Sequence, residues 1–475
     1  MNKSVSNSIK PLSTQLALLG FLLPLVLILA LLYIKVDIKI ALAAAISVES
    51  IFAIYLGYTW EEIEKYALKG IGRVNQTVIV MLLIGMLIGV WICAGSVQTM
   101  LYYGINMINP KFFLPIAFLI CIIASTMTGT SWGTAGTMGI ALIGIAQGLN
   151  IPVEMAAGAI ISGALVGDKL SPLSDTTLLA AAVTEVKLYD HIISLCYVTI
   201  PVSLIAAVVY TILGFKYAGG TADLESIRVL SESLMSSCTI NPLMLVPLLF
   251  VLLMSAMKKP SIPVFAGGVL LGIIWAITFQ DMALSDVVKA TINGFVSKTG
   301  NADIDKLLSR GGAMDMAGTI FLCIGAGMFA GVFECTGVLS RLMQSLVHVV
   351  KTVGGLVTAV TITGIALMFG GAGQSCTITL PAVAFRKAFE DMDVHPAVLS
   401  RTLECTGTVL GSIVPWDASA ILYSGLFGVS VSQYLPYSML SYLSPIAAVL
   451  TAYLGFGVFK YNEEVHLFGR KAKKV

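Results

Sequence analysis

The 475-residue chain is 57% hydrophobic and only 11% charged, with a mean hydropathy of +0.92. A soluble domain carries about 25% charged residues, so a chain of this composition needs lipid as its solvent. The net charge of +2 gives no reason to expect a nucleic-acid partner. Eight scattered cysteines form no CxxC pair, so the sequence indicates neither a zinc knuckle nor a disulfide framework. We expect a multi-pass protein of the cytoplasmic membrane without a cofactor.

Apolar segments long enough to cross a bilayer follow one another along the chain. They cover 15–34, 38–57, 76–96, 153–184, 188–214, 240–257, 261–280, 317–337, 395–430 and 434–459. Two further apolar stretches, 112–148 and 353–389, are broken in the middle by small polar residues, which is typical of re-entrant hairpins. Amphipathic connectors are predicted at 59–73 and 97–108. The pattern predicts an all-α polytopic membrane protein.

The two halves of the chain resemble each other. GVWICAG at 89–95 matches GVFECTG at 331–337, and Pro172 matches Pro415 further along in the same order. We therefore predict a first repeat at 1–214, an external linker at 215–239 and a second repeat at 240–475 that ends in a basic cytoplasmic tail.

Each repeat is predicted to contain five transmembrane helices, one of them discontinuous, and one re-entrant hairpin. Five is an odd number, so the two repeats are inverted relative to each other. With a cytoplasmic N-terminus, basic residues are in excess on the cytoplasmic side, as the positive-inside rule requires. The cytoplasmic set is Lys65, Lys69, Arg73, Lys187, Lys258, Lys259, Arg341, Lys351, Arg386, Lys387 and the tail 470–474. Both termini are thus expected inside, and hairpins that span fully would leave the same parity.

The first candidate site is GDKLSPLSDTT at 167–177, inside an otherwise apolar stretch. Pro172 lacks a backbone donor and disfavours helix at the residue before it, so we predict a helix break near mid-membrane. Freed carbonyls and hard oxygen ligands suit a desolvated alkali cation, and the second half-helix offers a positive dipole end to an anion. The candidate ligands are Asp168, Ser171, Ser174, Asp175 and Thr176. The alternative is an ordinary polar loop, which would leave neither flank long enough to span.

The matching segment of the second half is GSIVPWDAS at 411–419, where Pro415 predicts a second helix break and Asp417 follows it. Upstream, Arg401 and Glu404 share one helical face and are expected to pair, with Thr406 close by. A purely structural ion pair is the alternative. The four histidines, His191, His348, His395 and His466, lie at segment ends, where surface placement is expected rather than a proton relay.

The predicted hairpin tips are TGTSWGT at 128–134 and GGAGQSCT at 370–377. Glycine lets the backbone turn sharply and approach a ligand, and non-helical backbone at this depth survives only in protein or beside a water-filled cavity. The tips offer Thr130, Ser131, Gln374, Ser375 and Thr377 as ligands. Plain surface turns between two full helices are the alternative. We expect Asp175, Ser131 and Ser174 to form the cation site itself.

GDKLSPLSDTT at 167–177 resembles the NhaC-type sodium/proton antiporter family. LSRTLE at 399–404, TGT at 406–408 and IVPW at 413–416 resemble the second motif of that family, and the likeness covers essentially the whole chain. The resemblance implies the ion-transporter superfamily, with hairpins and broken helices in two inverted repeats. It also implies Na⁺/H⁺ exchange, although some relatives exchange organic anions, as a malate/lactate antiporter does.

These observations predict a secondary antiporter rather than an enzyme, working by alternating access. Na⁺ and H⁺ are expected to compete for one buried carboxylate, with Asp175 as first choice, Asp168 as second and Glu404 as third. A pairing of Lys169 with Asp168 would make Asp168 structural instead. Carriage of a small organic carboxylate or an amino acid is the alternative function, and a passive channel is a third. A homodimer stays open as an assembly.

Overall fold

A computed structural model describes residues 10–217, 232, 234–235, 239–257, 259–298, 305, 308–347 and 352–467. Within these ranges all regular structure is helical, apart from an isolated bridge between Val394 and Lys460. Seven of the described helices are long and apolar enough to cross a membrane, or eight if one bent pair counts as a span. The expected all-α multi-pass architecture is confirmed. Most of the predicted linker 215–239, His348 and the basic tail lie outside the described residues.

The first half, over the residues from 10 to 217, contains ten α-helices and a π-helical turn at 135–139. The α-helices are Thr14–Tyr33, Ile38–Leu56, Trp60–Cys93, Ser96–Met107, Phe113–Thr128, Ser131–Thr134, Ile140–Gly148, Val153–Leu170, Asp175–Val183 and Leu188–Tyr217. The second half, as far as it is described, contains Val246–Ala256, Ser261–Phe279, Leu284–Asn293, Ala317–Cys335, Val338–Val347, Val353–Phe369, Gly373–Asp391, Pro396–Gly407, Ala418–Phe427, Val431–Tyr434 and Met439–Tyr453.

The helix Trp60–Cys93 corrects the predicted boundary between the connector 59–73 and the span 76–96. It is one continuous rod of 34 residues, begun by a capping box in which Thr59 and Glu62 exchange hydrogen bonds. At 1.5 Å per residue the rod is about 51 Å long, well beyond the ~30 Å apolar core of a bilayer. The boundary was wrong because the pattern changes from amphipathic to apolar without a residue that stops a helix.

Close packing between the two halves centres on this rod and Ala317–Cys335. A β-carbon added at Gly70 would lie 2.0 Å from the Gly327 carbonyl oxygen, so the two backbones touch. Lys69 Nζ lies 2.8 Å from Glu334 Oε1, and Arg73 pairs with the same carboxylate. The two rods form one wall of the cavity described below.

Both predicted helix breaks are present. Broken helix 1 consists of Val153–Leu170 and Asp175–Val183, and Ser174 caps its second half by accepting a hydrogen bond from the Thr177 amide. Broken helix 2 consists of Pro396–Gly407 and Ala418–Phe427, and the Asp417 carboxylate caps its second half by accepting from the Ser419 amide. Each proline lies in the interrupted stretch, as its missing donor demands.

Two helical hairpins turn at glycines. Hairpin 1 consists of Phe113–Thr128 and 131–148 and turns at Gly129, where φ is 70°. Hairpin 2 consists of Val353–Phe369 and Gly373–Asp391 and turns at Gly371 and Gly373, where φ is 75° and 72°. A β-carbon at Gly129 would lie 2.7 Å from the Leu173 carbonyl carbon, which is in the break of broken helix 1. Glycine is therefore what lets this tip touch the break.

Candidate ion-binding site

The two hairpin tips and the two helix breaks border one cavity of about 600 Å³. Its polar lining comes from both halves of the chain. The polar side chains from the tips and breaks that face it are Thr130, Ser131, Asp168, Asp175, Gln374, Ser375, Asp417 and Ser419. All of these except Ser419 were candidate ligands from sequence. The fold thus gathers residues that are up to about three-fifths of the chain apart into one site.

Asp168 is fixed to the tip of hairpin 1. Its Oδ2 accepts a hydrogen bond from the Ser131 hydroxyl at 2.7 Å and from the Ser131 amide at 3.1 Å. Its Oδ1 is buried and has no hydrogen-bond partner among the described residues. A carboxylate held on one oxygen and unsatisfied on the other is suited to receive a proton or a cation.

Asp175 borders the same cavity but is more exposed than Asp168. It is the first residue of the second half of broken helix 1, and its side chain is exposed to the cavity. Its Oδ1 accepts a hydrogen bond from its neighbour, the Thr176 amide, at 3.0 Å. No described basic residue forms an ion pair with it. The Asp175 carboxylate is therefore accessible to an ion that enters the cavity.

Lys169 does not pair with Asp168, contrary to the option raised from sequence. Its fully buried ammonium group donates to Ser444 Oγ at 2.7 Å and approaches Cys405 Sγ at 3.3 Å. Neighbouring residues on a helix point in directions about 100° apart, so Lys169 leaves broken helix 1 in a different direction from Asp168. The Asp168 carboxyl group therefore stays available to the cavity.

The second half is built in a similar way. Gln374 Nε2, at the tip of hairpin 2, donates to the Thr408 carbonyl at 3.2 Å and to Ser419 Oγ at 3.0 Å. Asp417 Oδ1 accepts from the Ser419 amide at 2.9 Å. The tip of hairpin 2 is thus tied to broken helix 2, as the tip of hairpin 1 is tied to broken helix 1.

Several candidate ligands lie outside the cavity lining and form hydrogen bonds within the protein instead. Ser171 Oγ donates to the Thr126 carbonyl at 2.8 Å, and Ser174 caps its helix. Thr377 and Thr406 donate to carbonyls of their own helices, and Thr176 lies beside Glu404. In this conformation these five hydroxyl groups therefore form hydrogen bonds within and between the helices rather than point into the cavity.

The predicted pair Arg401–Glu404 is wrong. Glu404 accepts a hydrogen bond from Thr177 Oγ1 at 2.8 Å on one oxygen and lies 2.6 Å from His191 Nε2 on the other. Arg401 Nη1 instead donates to the Gly457 carbonyl at 2.9 Å. Both side chains are fully buried, so the helices packed around them decide their partners, not their spacing along one helix.

His191 was expected at the surface and is fully buried, which corrects that prediction. It lies in the first turns of Leu188–Tyr217, and its ring nitrogens contact Glu404 and Ser400. His191 and Glu404 are 213 residues apart, and no pattern in the sequence links them. Only the packing of Leu188–Tyr217 against broken helix 2 brings this histidine inside.

Tyr423 is a further site residue that the sequence did not reveal. Its side chain is fully buried on the second half of broken helix 2, with the hydroxyl group beside Ser131 and near Asp168 and Asp417. That hydroxyl makes no hydrogen bond of normal geometry. A buried hydroxyl that lies near Asp168 and has no hydrogen-bond partner among the described residues offers one more ligand to an ion bound there.

Comparisons with known proteins identify the family of the chain. The profile of the Na⁺/H⁺ antiporter family matches residues 4–184 and 163–456. The chain is 36% identical over 437 residues to the malate-2H(+)/Na(+)-lactate antiporter of Bacillus subtilis, covering 92% of this chain and 93% of that protein. It is 36% identical over 448 residues to the Na(+)/H(+) antiporter NhaC of Alkalihalophilus pseudofirmus, covering 94% and 96%. It is also 33% identical over 431 residues to the arginine/ornithine antiporter ArcD of Halobacterium salinarum, covering 90% and 89%. This multi-pass membrane protein belongs to the Na⁺/H⁺ antiporter family, whose members are transporters and not enzymes.

Proposed function

We propose that the protein exchanges Na⁺ for H⁺ by alternating access, and that the ions bind in the cavity between the hairpin tips and the helix breaks. The observation that carries this proposal is the convergence of Asp168, Asp175 and Asp417 on one cavity. Among the described residues that border it, Arg73 is the one basic side chain, and it is paired with Glu334. The cavity therefore favours a cation over an anion.

The proton and Na⁺ compete for a carboxylate in this cavity. Burial favours the protonated acid, whereas a bound cation favours the carboxylate, so one group can serve both ions in turn. Asp175 is the first choice because its carboxylate faces the cavity without a basic partner, and Asp168 is the second because one of its oxygens is unsatisfied. The Ser131 hydroxyl donates to Asp168, and the Ser174 and Tyr423 hydroxyl groups lie close to the same carboxyl group.

Alternating access requires that the cavity open to each side in turn. We propose that the hairpins and broken helices move against the remaining helices, and that the two halves are inverted repeats with both termini in the cytoplasm. The cytoplasmic excess of basic residues and the break in each half support this arrangement.

The test is flux in proteoliposomes that contain the purified full-length protein and an internal pH dye. An inward Na⁺ pulse should drive proton efflux in the wild type, and Asp175→Asn should abolish it while the protein still folds. Asp168→Asn should raise the Na⁺ concentration needed for half-maximal rate. Asp286→Asn is the matched control, since Asp286 is exposed and pairs with Lys289 far from the cavity. Wild-type exchange in Asp175→Asn would show that the proton is carried elsewhere.

A second candidate, carriage of a small organic solute, is favoured by the size of the cavity. Pockets of about 300–1,000 Å³ bind small molecules, and 600 Å³ lies within that range. The relatives named for malate and lactate and for arginine and ornithine support this alternative. Three carboxylates favour a cationic amino acid over a dicarboxylate here. Adding arginine, ornithine, malate and lactate to the same liposomes tests this, and stimulation by solute on the opposite side distinguishes a carrier from a channel.

A further inference from the structure

A buried acid–base pair lies outside the cavity lining, on the far side of broken helix 1. His191 Nε2 is 2.6 Å from Glu404 Oε2, and neither side chain is exposed. We propose that His191 and Glu404 form a second proton-binding site, which adds one proton to each transport cycle beyond the proton exchanged in the cavity. The inference rests on the proposed antiport function and concerns its stoichiometry.

The first argument is charge balance. With one proton shared between Nε2 and Oε2, the pair is neutral, either as imidazolium and carboxylate or as imidazole and carboxylic acid. Without that proton it carries one negative charge in a place that no water reaches. A buried charge without compensation is costly, so the pair holds a proton in the conformation described here.

The second argument is that the surroundings accommodate both protonation states of the ring. Ser400 Oγ lies 2.8 Å from His191 Nδ1 and 3.1 Å from the Ala397 carbonyl. The hydroxyl can donate to the carbonyl while it accepts from a protonated Nδ1, or it can rotate and donate to a bare Nδ1. A pair with a purely structural role would need only one of these arrangements.

The third argument is that the pair contacts the helix break that carries the cation site. Thr177 Oγ1 lies 2.8 Å from Glu404 Oε1 and 3.3 Å from the carbonyls of both Asp168 and Lys169. The Thr177 hydroxyl can donate one good hydrogen bond at a time. It donates to Glu404 when that carboxylate is ionised, and to the Asp168 or Lys169 carbonyl freed by the break when Glu404 is protonated. Protonation of the pair therefore changes the hydrogen bonding of the backbone that positions Asp168.

The charged neighbours allow the proton to leave during the cycle. The Lys169 ammonium group contacts Cys405, next to Glu404, and Arg401 lies one turn from Glu404 on the same helix. Both cations are buried, and neither pairs with a carboxylate of the described residues. A conformational change that brings either cation to the pair would compensate the negative charge left when the proton leaves. The other ionisable groups on the adjoining elements include Asp175 on the same half-helix as Thr177, Asp190, Glu185 paired with Arg386, His395 near Asp190, and the Asp168 carboxyl bonded to Ser131.

The closing experiment measures the H⁺:Na⁺ ratio of the full-length protein in proteoliposomes. With the membrane potential clamped at zero, the ratio of the Na⁺ gradient to the pH gradient at which proton flux stops gives this ratio. Glu404→Gln and His191→Gln should each lower the ratio by one proton while Na⁺-dependent flux persists. Thr402→Val is the control on the same helix, because Thr402 is equally buried but donates only to the Val398 carbonyl. An unchanged ratio in both folded variants overturns the proposal.

If those variants do not fold, the pair can be observed in a protein that keeps both His191 and Glu404. Replacing His348, His395 and His466 by Gln leaves His191 as the sole ¹⁵N-labelled imidazole. Its resonances should report a change in the protonation of the ring on addition of Na⁺. A ring fixed in one state throughout, insensitive to Na⁺, overturns the proposal. A wild type that moves no protons in response to Na⁺ would instead refute the antiport function itself.

Discussion

The Ser131 hydroxyl donates to Asp168 Oδ2 at 2.7 Å and so joins the tip of hairpin 1 to broken helix 1. The second oxygen of the same carboxylate has no partner among the described residues. Gln374 joins the tip of hairpin 2 to broken helix 2 with two hydrogen bonds. The position of each tip is therefore set by polar contacts with the break that faces the cavity.

Removing the Ser131 hydroxyl should weaken cation binding. A hydrogen bond to a charged group is worth about 1.5–3 kcal/mol, so Ser131→Ala should raise the half-saturating Na⁺ concentration by roughly 10- to 100-fold. Ser125→Ala is the control, because Ser125 lies on the same hairpin and donates to the Ala164 carbonyl instead. Equal Na⁺ dependence in the two variants would show that the bond to Asp168 does not position the site. Flux at a series of Na⁺ concentrations provides the measurement.

Competition between the ions should appear in the pH dependence. Lower pH protonates the cavity carboxylate and thereby removes the form that binds Na⁺. The apparent Michaelis constant for Na⁺ should rise as the pH falls, while the maximal rate stays largely unchanged. Initial rates of exchange at several pH values and Na⁺ concentrations test this. A maximal rate that falls with pH at constant Michaelis constant would contradict binding at a shared carboxylate.

Adding a methyl group at the tip of hairpin 1 should displace it from the break. In Gly129→Ala the new β-carbon meets the Leu173 backbone at 2.7 Å and also occupies a left-handed conformation. Gly428→Ala is a matched control, because φ is 68° there but no atom lies within 4 Å of the β-carbon. Both variants should lose about 1–2 kcal/mol of stability to backbone strain. Transport should fall only in Gly129→Ala, and a parallel loss in both would attribute the effect to strain alone.

The proposed topology makes a prediction for surface labelling. In a cysteine-free background, Glu61→Cys should react with an impermeant maleimide only from the cytoplasmic side. Asp281→Cys should react only from outside. Both positions are exposed in the structure, so burial does not limit the reaction. Labelling of the two cysteines from one side would contradict the inverted arrangement.

The stability of the protein should depend on the hydrogen bond from the buried Lys169 ammonium group to Ser444. Ser444→Ala removes the 2.7 Å partner of a buried charge, which costs about 1.5–3 kcal/mol. The melting temperature of the detergent-purified protein should fall. Thr363→Val is the control, since the Thr363 hydroxyl is buried without a partner and its loss should be neutral or stabilising. Equal melting temperatures for Ser444→Ala and the wild type would show that the lysine finds another partner.

Some features followed from short stretches of sequence because their causes are local. Composition alone placed the chain in a membrane, since no soluble fold could bury so much apolar surface. Pro172 and Pro415 predicted the helix breaks because a missing backbone donor acts within one helical turn. Glycine and hydroxyl residues predicted the tips, and seven of the candidate ligands face the cavity that the tips border.

Other features were decided only by tertiary packing. The sequence contains both His191 and Glu404, but the 2.6 Å contact between them depends on how Leu188–Tyr217 packs on broken helix 2. Spacing along one helix allowed Arg401 to meet Glu404, yet surrounding helices offered each a different partner. Tyr423 joined the site for the same reason. Helical spacing and proline chemistry act over a few residues, whereas the partner of a buried polar side chain is chosen by whatever the whole fold places within about 3 Å of it.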